Sequence, residues 1–122
     1  MTDKTHYATP PATEKIRRMA NWAAEKKGRD IFGLDLISHN TFTDGILLIT
    51  AGSIRHAQGL ADYILQMSRE AQFEFLRMEG YQNGQWILLD MNDVVISIFQ
   101  KETRDLYRIE DLWKTAPVIP LS

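Results

Sequence analysis

The stretch TDGILLITAGSIRHAQGLAD, residues 43–62, changes its period halfway, and that change decides the fold class. Gly45 to Ala51 is a continuous apolar run of strand length, the pattern of a strand covered on both faces. Gly52 breaks the run, Ser53 follows as an N-cap, and the apolar spacing then becomes helical, with Ile54, Ala57, Ala61, Ile64, Leu65 and Ser68 on one stripe. A strand that passes through a capped turn into an amphipathic helix is the opening of a sheet-and-helix domain.

Upstream, Thr13 reads as the N-cap of a first helix with Ile16, Met19, Ala20 and Ala23 inward, Trp22 off that stripe, and Gly28 as its stop. Asp30 to Ile37 reads as a strand and Ser38-His39-Asn40 as a turn. Downstream, Phe73 to Met78 reads as a strand, and Asn83-Gly84 marks a turn. Trp86–Asp90 and Asp93–Phe99 read as a hairpin around Met91-Asn92 or Asn92-Asp93, and Glu102–Trp113 as one or two short helices. The order is helix, two strands, helix, three strands, short helix. It predicts an α/β (α+β) fold, a mixed sheet of about five strands flanked by helices, with the strands on either side of the second helix parallel through a right-handed crossover. The expected organisation is a flexible N-terminal tail over 1–12, one domain over 13–116, and a loose end over 117–122 marked by Pro117 and Pro120.

The hairpin divides its own side chains. Side chains alternate along a strand, so any two-residue loop here puts Ile87 and Leu89 on one face with Val94, Ile96 and Ile98. That face is aliphatic and belongs to the core. Trp86, Leu88 and Asp90 share the other face with Val95, Ser97 and Phe99. Two aromatics beside a serine and a carboxylate fit either of two readings: a face covered by a helix of the same chain, or a partner surface with an aromatic anchor.

Composition narrows the function. The chain has 122 residues, 44% hydrophobic and 25% charged, as expected of one domain with a modest core. It has no cysteine, which excludes disulfides, thiolate metal sites and cysteine nucleophiles. No apolar run approaches the roughly 18 residues of a membrane span. Met1 to Pro10 carries Asp3 and no apolar h-region, so neither a signal peptide nor a membrane contact is expected, and a cytoplasmic location fits. Fourteen basic residues against sixteen acidic ones give a charge of −2, without the basic excess typical of a phosphate-gripping protein.

Chemistry finds little support. Gly52-Ser53 could bind an anion at the helix N-terminus and resembles the glycine-serine turn of nucleotidyltransferases. Those enzymes need two carboxylates at i and i+2 on a following strand to hold magnesium, and no two acidic residues here stand at that spacing. His6, His39 and His56 have no metal-ligand spacing and read as solvated. No cofactor, metal or catalytic residue is expected.

Four stretches in order carry a resemblance: DIFGLDL at 30–36, TDGILLITAGSIRHAQGLAD at 43–62, MEGYQNGQWILLDMNDVVISIF at 78–99, and ETRDLYRIEDLW at 102–113. Together, over about residues 20–116, they resemble the ribosomal silencing factors, also called Iojap-related proteins. The closing stretch has Arg104, Tyr107, Glu110, Leu112 and Trp113 in place. Ser97 stands where that family commonly has a histidine, and Gly45 where it has an aromatic. The resemblance implies a nucleotidyltransferase-like topology without the enzyme's carboxylates. It implies binding to a large-subunit ribosomal protein at the intersubunit face, with little direct RNA contact, which would block subunit joining and repress translation when nutrients are scarce. The candidate partner surface is Trp86, Leu88, Asp90, Val95, Ser97 and Phe99, joined by the aromatic Tyr107 and Trp113 of the closing stretch. The competing readings are a divergent nucleotide-binding enzyme around Ser53 and a homodimeric interaction module unrelated to the ribosome.

Overall fold

The computed structural model describes residues 7–39 and 41–121. Its elements are α1 (Ala12–Glu25), β1 (Arg29–Asp35), a 3₁₀ turn (Ile37–His39), β2 (Gly45–Ala51), α2 (Ile54–Glu70), β3 (Arg77–Glu79), β4 (Trp86–Asp90), β5 (Val94–Gln100), α3 (Lys101–Tyr107) and a 3₁₀ segment (Ile109–Trp113). The five strands form one sheet in the order β1-β2-β5-β4-β3. Only the central pair β2–β5 is parallel; the other three pairs are antiparallel. The result is a mixed α+β fold.

β2 lies where its apolar run predicts, and every one of its residues is buried. Its alternation serves two layers. Leu47, Ile49 and Ala51 face α1 and α2 together with Ile87, Leu89, Ile96 and Ile98, while Ile46 and Leu48 face the opposite layer with Leu34, Leu36 and Phe99. Gly45 has a packing reason: a Cβ there would stand 2.5 Å from Ile16 Cδ1 and 3.2 Å from the Leu34 carbonyl, so α1 and β1 sit too close for a side chain.

Ser53 caps α2, its Oγ accepting from the His56 amide at 3.0 Å. Leu60, absent from the expected stripe, is fully buried there, whereas Ile54 is exposed. α2 carries the chain past β5 and β4 to the far edge, so β3 is not the neighbour of β2. It runs in the same direction as β2, with β5 and β4 between them. β5 takes the central parallel place because the hairpin returns the chain inward and delivers a strand buried at every residue to the middle of the sheet, where both faces are covered. The third strand shrinks to Arg77–Glu79, since the chain leaves α2 through a left-handed Gln72 (φ 61°) and first buries Phe73 against α1.

Other expectations also shift. α1 begins at Ala12 with Pro11 in the cap position and no side-chain cap, so Thr13 lies inside the helix; Pro11 pre-sets the extended entry and its carbonyl receives the Lys15 amide at 3.0 Å. The helix stops on a left-handed Lys27 (φ 65°) rather than on Gly28, whose Cβ would meet Ile49 Cγ2 at 2.9 Å. Trp22 is core, 7% exposed and tilted against Phe73 with centroids 5.8 Å apart, because α1 is packed along two sides and not one stripe. β1 ends at Asp35 and Ile37–His39 form a 3₁₀ turn; Asn40 and His6 lie outside the described residues.

The end expected to be loose is laid along β1. The Asp35 amide donates to Pro117 O at 2.9 Å, the Ile119 amide donates to Gly33 O at 2.8 Å, and Ile119 is 3% exposed. At the other terminus the Ala8 amide donates to Gln72 O at 2.8 Å.

The hairpin turns on Asn92-Asp93, closed by the Met91 amide donating to Val94 O at 2.9 Å, with Asn92 left-handed at φ 77°. Lys15 of α1 reaches this turn. Its Nζ donates to Met91 O at 3.0 Å and pairs with Asp93 Oδ1 at 2.6 Å, with the lysine side chain 4% exposed. Among the described residues, no helix is long and apolar enough to cross a membrane.

Candidate functional site

The register of the hairpin places Trp86 opposite Phe99, Leu88 opposite Ser97 and Asp90 opposite Val95, all on the face away from α1 and α2. Both readings of that face hold in part. α3 and the 3₁₀ segment, here called the C-terminal arm, cover one end of it and leave the rest as an open groove of about 310 Å³. Leu88, Val95, Ser97 and Ile46 form its floor, Tyr107, Ile109, Leu112 and Trp113 its arm-side wall, and Phe42 its lip.

Trp86 is the fixed centre of the groove. Its indole is tilted between Phe99 and Tyr107, each centroid 5.1 Å away, and its Nε1 donates to Ser97 Oγ at 3.0 Å. A half-buried indole whose only polar atom is satisfied within the chain offers a rigid apolar surface to anything that docks. Ser97, 3% exposed, thus orients the ring through its hydroxyl.

Six of the eight candidate residues line the groove: Trp86, Leu88, Val95, Ser97, Tyr107 and Trp113. Phe99 lies beneath it, 1% exposed, supporting Trp86 rather than facing outward. Asp90 is turned to the hairpin end, where Oδ1 accepts from the Asn92 amide at 3.0 Å and Oδ2 lies 3.8 Å from Arg77 Nε. Sequence reasoning missed Phe42, 80% exposed, and Leu112, 71% exposed, as surface apolar groups of the groove. Phe42 stands alone between polar residues in an irregular segment, where no periodicity can assign it a face.

Trp113 anchors the arm's far end. It packs against the Leu34–Leu36–Phe99 cluster and meets His39 edge-on, centroids 6.3 Å apart at 87°. His39 is therefore half-buried and not a solvated turn residue, with Nε2 3.3 Å from Thr115 Oγ1. Between α3 and the 3₁₀ segment the chain turns on a left-handed Arg108 (φ 47°). The Arg108 guanidinium hydrogen-bonds Asp111 and holds that exposed carboxyl below its ordinary range.

The helix terminus at Ser53 has its own partners. Ser53 Oγ accepts from His56, the Gly52 amide donates to His56 Nδ1 at 2.9 Å, and His56 Nε2 lies 2.7 Å from Lys26 O, so this imidazole staples α2 to the end of α1. Among the described residues, no group of three or more histidine and acidic side chains could hold a metal ion.

Known proteins resemble this chain in sequence and fold. The chain is 30% identical over 108 residues to a ribosomal silencing factor of Halalkalibacterium halodurans, covering 88% of this chain and 92% of that one. It is 32% identical over 97 residues to the Bacillus subtilis protein of the same name, covering 80% and 82%. A mouse protein named for mitochondrial assembly of the ribosomal large subunit matches at 25% over 101 residues, 80% of this chain but 44% of its own length. A crystal structure of a Chromobacterium violaceum protein superposes with a TM-score of 0.78 at 30% identity, over 84% of this chain and 86% of that one. One from Bacillus halodurans does so at 0.75 and 28%, over 88% and 99%. A family model described as "ribosomal silencing factor during starvation" matches residues 9–122, and with these relatives it shows that the chain belongs to the ribosomal silencing factor family.

Proposed function

We propose that this chain is a non-catalytic, cytoplasmic repressor of translation that docks its arm-side groove onto a protein of the large ribosomal subunit at the intersubunit face. Occupying that surface blocks joining of the small subunit when nutrients are scarce. The observation that carries the reading is the open groove around Trp86, an apolar floor with exposed Phe42, Tyr107 and Leu112 at its margin. Such a patch on a small domain is a docking feature, with the aromatic centre supplying affinity. The relatives' names supply the ribosome, and the mouse relative's name supplies the large subunit. A charge of −2 favours a protein over an RNA partner, since a phosphate-gripping surface needs a basic excess.

Sedimentation of purified subunits tests this. The protein is expected to travel with large subunits and not small ones, and to lower the yield of joined ribosomes. Its binding should weaken only modestly with added salt. Undiminished joining at saturating protein would refute the proposal, and a steep salt slope would move the partner from protein to RNA.

A further inference from the structure

The arm-side wall of the groove is held by more than its partial burial. No residue of α3 or of Ile109–Trp113 is fully buried. Arg104 of α3 is the exception in its connections: its side chain is 12% exposed and its guanidinium joins three separate segments. Nη1 donates to the Asp30 carbonyl in β1 and to Thr50 Oγ1 in β2, the latter at 2.8 Å, while Nε donates to Glu110 Oε2 at 3.2 Å in the 3₁₀ segment. The sheet is shaped to receive it. The register of β1 against β2 shifts between Arg29 and Phe32, and within that bulge Asp30 is left-handed at φ 47°. A bulge takes a residue out of the ladder and re-aims its groups, which turns the Asp30 carbonyl toward the arm. Thr50, 4% exposed, supplies the second acceptor from the buried centre of the sheet.

We propose that Arg104 is the positioning residue of the groove. By tying α3 to the β1 bulge and to Thr50, and Glu110 back to α3, it fixes where Tyr107 and Trp113 stand. It thereby sets affinity for the partner without touching the partner. This rests on the groove being the docking surface, as proposed above.

The test uses the full chain with Arg104→Met, Arg104→Lys and Glu110→Gln, beside Trp86→Ala. Each variant is measured for binding to purified large subunits and for residue-resolved hydrogen exchange of the free protein. Arg104→Met is expected to bind about tenfold more weakly, from the loss of charge-assisted hydrogen bonds. Its exchange should speed up over residues 101–113 and stay unchanged in β2 and β5. Arg104→Lys should fall between, because an ammonium does not reproduce the planar fork that reaches three acceptors. Glu110→Gln should lose about threefold. Parent-like binding by Arg104→Met, where Trp86→Ala loses binding, would overturn the proposal. So would exchange that rises through β2 and β5 as well, since Arg104 would then support the whole sheet. Parent-like binding by Trp86→Ala would instead refute the groove as docking surface and with it the affinity claim; exchange over 101–113 would still tell whether Arg104 sets the wall.

Discussion

On one face of the sheet, α1 and α2 bring Leu47, Ile49, Ile87, Leu89, Ile96 and Ile98 to zero exposure. On the other, a short arm with no fully buried residue covers Phe99 and leaves Trp86 half-buried and Tyr107 56% exposed. The same strands supply both faces, so strand chemistry alone does not explain the difference. What differs is the cover: two long amphipathic helices of 14 and 17 residues against an arm whose helix has 7. The helix-covered face supplies stability. The arm-covered face leaves apolar surface exposed at Phe42, Tyr107 and Leu112 and adds polar ties where burial is incomplete.

The sharpest way to break this comparison is Ile49→Ala on the helix-covered face. Truncating a fully buried isoleucine is expected to lower unfolding free energy by about 3–4 kcal/mol. Urea denaturation measures it, and the folded fraction should bind large subunits as the parent does. A loss under about 1 kcal/mol would mean that this face is not the one carrying stability.

Next in size is Lys15→Met, which removes the buried ammonium between α1 and the hairpin turn. Breaking a buried pair costs about 3–5 kcal/mol, but Asp93 is 31% exposed and can hydrate, so about 2 kcal/mol is expected. Asp93→Asn in the Lys15→Met background should then add little, and a full additive loss would show that the pair does not act as a unit.

Trp86→Ala tests the other face directly. Its main effect is expected on binding, about 2 kcal/mol or roughly 30-fold, as for an interface anchor. The stability loss should be smaller than for Ile49→Ala, since the ring is already half-exposed. A variant that melts far below the parent yet binds normally where folded would show the arm-side face to be ordinary core.

The smallest effect belongs to Asp111. Its folded carboxyl is held below the ordinary value of 3.8, chiefly by its hydrogen bond from Arg108. A depressed carboxylate contributes stability that is fully present above the unfolded value and is lost as pH falls through the folded one. The melting temperature of Asp111→Asn should therefore sit slightly below the parent's at neutral pH and converge with it in strong acid. Because the pair is exposed, high salt should shrink the gap as well.

The parts of this division written in local pattern were legible in the sequence. The unbroken run Gly45–Ala51, the Ser53 cap and the alternation through Trp86–Phe99 each depend on neighbours a few residues away, and each stands as read. What failed depended on distant partners. Trp22 leaves the helical stripe yet is core because Phe73 meets it, and Gly28 and Gly45 are small because β2 and α1 approach them. Lys15 is held by a turn 78 residues away, a contact that no local pattern announces. The arm-side face could be read only as covered or open, because the length of the cover relative to the sheet is a tertiary quantity. Pro117 and Pro120 suggested a loose end, but backbone without regular structure can still dock, as Ile119 does.

That docked end has a further consequence. An unpaired strand margin is a template on which a second chain can add itself, and proteins guard such margins. Here Val118 bridges Leu34, and Pro117 and Ile119 take up the Asp35 amide and the Gly33 carbonyl, so part of the outer edge of β1 is capped by the chain's own terminus. The opposite margin, β3, is three residues long and carries exposed charges at Arg77 and Glu79. Strand addition is discouraged at both margins, and with it the route from exposed edges to fibrous aggregates. An exposed aromatic groove can therefore be kept on this protein without the sheet itself becoming sticky.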